Sequence, residues 1–117
     1  MIGDEEIAAV SEVLRKGWLS SGPKTKEFEE RFKSYVGAQA ALALNSCTAG
    51  LHLAVILNGI GPGDEVITTP LTFCATANVV EHEGASVTLA DVDPETLLID
   101  PLEIEHKINK KTKALLP

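Results

Sequence analysis

Basic residues are scarce in this chain. Ten lysines and arginines stand against seventeen aspartates and glutamates, a formal charge of −7. A nucleic-acid surface normally needs a basic face, so that partner is disfavoured, although a local positive site for a phosphate is not. Long apolar runs are missing too: no stretch approaches the roughly 20 residues that a membrane helix needs. The opening MIGDEEIAAVSEVLRKG is acidic and amphipathic, without the basic start and apolar centre of a secretory signal. Only two cysteines occur, Cys47 and Cys74, and their spacing matches no metal or redox motif. The simplest expectation is a reduced, cytoplasmic setting, with both thiols as small buried residues and no metal site. Neither G-x-G-x-x-G nor G-x-x-x-x-G-K-[ST] is present, which takes support from dinucleotide and P-loop sites. There is no internal repeat and no low-complexity tract.

What is present reads as a soluble α/β protein. The 117 residues suit one domain, with 44% hydrophobic and 23% charged content. Residues 4–16 carry Ile7, Val10 and Leu14 at helical spacing, stopped by Gly17. A turn-rich WLSSGP leads to a second helix over 23–36, with Phe28, Phe32, Tyr35 and Val36 as its stripe and Gly37 as its cap. The run AQAALAL, 38–44, predicts a strand buried on both faces. Thr48–Asn58 predicts a helix that is apolar nearly all round and therefore buried.

After the turn GPGD, EVITT predicts a β-branched strand stopped by Pro70. A helix over 72–83 ends at Gly84; SVTLA is a strand and DVDPET a turn. Asp100, Pro101 and Glu103 mark a helix start, and KALLP opens a last strand. The order from residue 38 is β-α-β-α-β-α-β, which predicts a mainly parallel sheet with covering helices. The organisation is thus an N-terminal helical segment, 1–37, and an incomplete α/β domain, 38–117. A last strand at the chain's end would leave a bare sheet edge, so the expectation is the N-terminal part of a longer protein.

The chemistry gathers at NSCTAG, residues 45–50, between the first strand and its helix. Ligands of open parallel sheets bind outside the carboxyl ends of the strands, and free amides at a helix start favour a phosphate. Ser46 and Thr48 offer hydroxyls; Cys47, Ala49 and Gly50 are small enough for close approach to the backbone. The plain alternative is that Thr48 is only a helix cap and Asn45 and Ser46 only turn residues. PLTFCATAN, 70–78, occupies the same place after the next strand. Phe73, one of only three phenylalanines, can stack on a flat ring there or plug the loop from beneath. His52 reads as a packing residue, His82 and His106 as solvated, and Asp91 and Asp93 as an acid pair within the DVDPET turn.

Five segments in order, GWLSSGP, NSCTAGLH, GPGDEVI, TFCATAN and DVDPET, resemble the opening of the DegT-type nucleotide-sugar aminotransferases. The resemblance spans almost the whole chain. It implies the N-terminal part of the large domain of a fold type I, aspartate aminotransferase-like enzyme dependent on pyridoxal 5'-phosphate (PLP). It implies that Thr48 and Ala49, with Ser46 and Cys47 beside them, bind the cofactor phosphate and that Phe73 stacks on its ring. It makes Leu19, Ser20 and Ser21 weaker substrate-side candidates, with a rigid turn as their other reading. The implied activity moves an amino group, usually from glutamate, to a keto sugar nucleotide of the kind used in polysaccharide biosynthesis, in a homodimer. The Schiff-base lysine and the acid that holds the ring nitrogen fall after residue 117 in the family, so these residues alone are not expected to be active. A non-catalytic DegT-type regulator or sensor that keeps the fold is the alternative; a lyase of the same fold type acting on amino acids is a more distant one.

Overall fold

The computed structural model describes residues 2–117. The chain divides into two compact units between Ala43 and Leu44.

The first unit holds two helices, α1 (Asp4–Lys16) and α2 (Pro23–Val36). Their ends follow from local chemistry. The Glu6 carboxylate accepts the amide of Gly3 at 2.7 Å, and Pro23 opens α2 where a missing N–H is harmless. Gly17 and Gly37 close the helices in the left-handed conformation, at φ 70° and 69°. Surface pairs one turn apart decorate them, such as Arg31–Glu27 at 2.6 Å. Neither helix contains a buried residue. The stripe Ile7, Val10, Leu14 and the Phe28–Phe32 ring pair stay largely exposed.

The run 38–44 corrects an expectation. It forms no ladder, and Leu42 is 75% exposed. A strand needs a neighbour to take its amides. Here the amide of Ala43 goes instead to the Glu29 carboxylate at 2.9 Å.

The second unit runs α3 (Cys47–Leu57), β1 (Glu65–Thr68), α4 (Ala75–His82), β2 (Ser86–Leu89), α5 (Pro101–Lys107) and β3 (Thr112–Leu116). The three strands are parallel in the order β2-β1-β3, so the expected parallel architecture forms with three strands, not four. As the central strand, β1 has both faces covered: Val66, Ile67 and Thr68 are fully buried. Val55, Ile60, Val66, Val79, Val80 and Ala85 form the core.

One carboxylate ties the three strands together. Glu65 accepts from Thr88 of β2 at 2.8 Å, from Thr112 of β3 at 3.0 Å and from Asn109 at 2.7 Å. These bonds, Thr88's first, hold its carboxyl below the usual range, and desolvation opposes them. In the DVDPET turn, the amide of Thr96 and then its hydroxyl do the same for Asp93, as a turn residue would.

Two further expectations fail. The helix α3 is not buried all round: Val55 is its one buried residue, while Leu53, Ile56 and Leu57 are exposed. It packs on α4 along one face, and an apolar composition cannot supply neighbours for the others. Both cysteines are exposed free thiols, because each sits at a helix start and not in a packed interior.

Candidate cofactor-binding site

The cap of α3 is Ser46, not Thr48. Its backbone is extended (φ −159°, ψ 155°), and its Oγ accepts the amide of Ala49 at 3.1 Å. The amide of Gly50 reaches the Ser46 carbonyl at 3.3 Å. Among the described residues, the amides of Cys47 and Thr48 meet no acceptor. They are the orphan donors of a helix start, on exposed residues. The Ser46 hydroxyl, having accepted from Ala49, donates to Asn45 Oδ1 over a long 3.5 Å, a weak bond that an anion could displace. An anion at this point would therefore meet two amides and one hydroxyl, with the positive end of an eleven-residue helix behind them.

After β1 the chain turns at Pro70, and α4 starts at Ala75, three residues later than the sequence pattern predicts. The Thr69 hydroxyl accepts the Leu71 amide at 3.2 Å, and the Thr72 and Thr76 hydroxyls lie 3.0 Å apart. Phe73 gives its carbonyl to the Thr76 amide at 3.0 Å, and its side chain is 75% exposed. It is not a plug beneath the loop.

The far ends of α3 and α4 meet near the amino ends of the strands. The Gly61–Asp64 turn that follows α3 lies against the end of α4: a Cβ on Gly84 would come within 3.2 Å of Pro62. The amide of Ser86 joins the carbonyl of Asp64 at 2.9 Å. Both helices thus finish at the amino ends of β1 and β2, and α4 starts from the carboxyl end of β1. Phe73 stands at the entry to α4, and Ser46, Cys47, Thr48 and Ala49 stand at the opposite end of α3 from the Gly61–Asp64 turn.

The remaining candidates belong to the first unit. Leu19 and Ser20 line an open hollow of about 330 Å³ with Trp18 and Lys24, and the Ser21 carbonyl accepts the Trp18 indole N–H at 3.2 Å. No lysine occurs between Lys33 and Lys107, so neither candidate segment carries an amine. Among the described residues, no group of three or more His, Cys, Asp or Glu side chains could hold a metal, and no helix is long and apolar enough to cross a membrane.

One polar link escaped the sequence reading. His52 of α3 does not simply pack; its Nε2 lies 2.6 Å from Glu83 Oε1 at the end of α4. The two residues are 31 positions apart, and no local pattern signals their pairing.

The model of the DegT/DnrJ/EryC1/StrS aminotransferase family matches residues 1–117. The chain belongs to this family. A curated relative in Bacillus subtilis, the spore coat polysaccharide biosynthesis protein SpsC, is 55% identical over all 117 residues. Protein MJ1066 of Methanocaldococcus jannaschii is 50% identical over 116. The chain spans 30% of the length of each. Among solved structures, Spr1654 of Streptococcus pneumoniae, described as a putative sugar aminotransferase, matches in its PLP form. Its TM-score is 0.93 and its identity 39%, over 100% of this chain and 30% of that one. DesV of S. venezuelae matches with a TM-score of 0.88 and 37% identity, over 97% of this chain and 30% of its own. The fold is thus that of the N-terminal part of a PLP-dependent aminotransferase, and PLP is the cofactor of the family.

Proposed function

We propose that this member of the DegT/DnrJ/EryC1/StrS family is part of an aminotransferase that moves an amino group from glutamate to a keto sugar nucleotide. The observation that carries the proposal is the start of α3. It has two amides without a protein acceptor and a capping serine, and an exposed phenyl ring stands at the entry to α4, the helix that α3 packs on. The relatives named for polysaccharide biosynthesis and sugar amination support the substrate class.

Bound PLP supplies the electron sink that lets an amino group leave one carbon and enter another. The residues of this chain hold it. The Cys47 and Thr48 amides and the Ser46 hydroxyl take the phosphate, while the Ala49 amide keeps Ser46 in place. Phe73 covers one face of the ring and keeps water from it. Leu19, Ser20 and Ser21 are the substrate-side residues of the proposal.

One substitution isolates the phosphate contact. Cys47 is the first residue of α3 and follows an extended Ser46, which is where a proline fits without breaking a helix. Cys47→Pro deletes one amide. We expect it to weaken PLP about tenfold, worth about 1.4 kcal/mol, while Cys47→Ala and the affinity for unphosphorylated pyridoxal stay unchanged. Equal PLP affinity in Cys47→Pro overturns the placement. For the activity, the full-length protein with glutamate and a keto sugar nucleotide is expected to release 2-oxoglutarate. PLP uptake without transfer from any amino donor favours the sensor instead.

A further inference from the structure

We infer that His52 and Glu83 are positioning residues for this cofactor site, setting α3 against α4 so that the α3 amides and Phe73 face one ligand; the inference rests on the PLP reading above. The contact between the two helices is otherwise apolar. Leu51 and Val55 of α3 pack on the cluster that holds Val79 and Val80 of α4. Such rows fix an approach distance but leave the crossing angle loose, with a spread of about 15–20° for a given packing class.

His52, the residue after Leu51, adds a directional bond to this contact. A carboxylate only accepts, so the imidazole Nε2–H donates to Glu83 Oε1 at 2.6 Å. The His82 ring meets His52 edge-on, its centroid 5.8 Å away. From His52 to Cys47 is five residues, about 7.5 Å of helix. A tilt of about 10° around His52 therefore carries the Cys47 amide by more than about 1 Å, beyond the ~0.5 Å that a preorganised site tolerates.

The pair is 36% and 30% exposed, so it adds little to stability. Its effect falls on placement, which gives it a signature that a purely structural bond lacks.

The test is a PLP titration of the full-length protein, followed by fluorescence, beside thermal melting of the apoprotein. His52→Leu and Glu83→Ala are each expected to weaken PLP about tenfold, and the double variant no further. Apoprotein melting is expected to shift by less than about 2 °C. His52→Gln, which puts an amide N–H where the imidazole N–H was, is expected to restore affinity to within about threefold of wild type. Wild-type affinity in both His52→Leu and Glu83→Ala overturns this inference alone. So does a loss of affinity that tracks a loss of apoprotein stability and that His52→Gln fails to rescue. A wild-type protein that takes up no PLP overturns the cofactor reading and this inference with it.

Discussion

Phe73 keeps three-quarters of its surface in solvent and lends the fold only its carbonyl, which bonds the Thr76 amide. Phe73→Ala is therefore expected to change unfolding free energy by less than about 0.5 kcal/mol, as read by urea denaturation. On the proposed function it weakens PLP roughly three- to tenfold, the range of a lost ring contact. A large stability loss with unchanged PLP affinity would make Phe73 a structural residue. Leu97 presents the opposite case. It is a branched residue at φ 59°, held there by its own amide on the Asp93 carbonyl at 2.8 Å. Asparagine visits that region at lower steric cost without glycine's backbone entropy. Leu97→Asn is expected to raise stability by about 0.5–1 kcal/mol; a lower urea midpoint in the variant counts against the strain argument. The pattern PETLLID gave no hint of this, since nothing in a leucine's identity announces a left-handed backbone.

Among the elements, what could be read in advance was whatever its own residues decide. The spans of α1 and α2 follow from Pro23, Gly17 and Gly37, and the parallel order of the strands follows from their alternation with helices. The start of α3 was legible as a cluster of small polar residues. Which of them caps it was not, because Ser46 and Thr48 are both good caps and only the backbone decides between them. The carboxylate of Glu65 was invisible for a different reason: its partners Thr88, Asn109 and Thr112 come from elements far along the chain. It ties three strands together, and its pH signature has a definite sign. Its folded pKa is depressed, Thr88 being the first cause. Its contribution is therefore complete above the unfolded carboxylate value of about 4.3 and fades as pH falls through the folded value. Glu65→Gln is expected to melt below wild type at pH 7, with the gap closing once pH drops beneath about 4. A gap that stays constant across that window would mean the carboxylate's charge is irrelevant to the tie.

At the scale of the molecule, an apolar run announces that a segment prefers burial and is silent on what buries it. Ala38–Leu44 and the outer faces of α3 were misjudged for that reason: Leu42 is 75% and Leu57 83% exposed. The consequence is an uneven distribution of stability. In the second unit, Val66, Ile67, Val79 and Val80 are buried to 1% exposure or less. In the first, α1 and α2 bury no residue, so their helicity rests on caps and surface pairs, which leave helices of thirteen and fourteen residues marginal. Opening either helix exposes little new apolar surface, while opening β1 breaks two ladders and the core at once. Amide hydrogen exchange on the 117-residue polypeptide is therefore expected to divide sharply. The amides of Val66, Ile67 and Thr68 exchange most slowly, and those of α1 and α2 at least ~100-fold faster, at the low end of the opening free energies of a folded chain. Protection of α1 equal to that of β1 would show that packing, not capping, holds the helices.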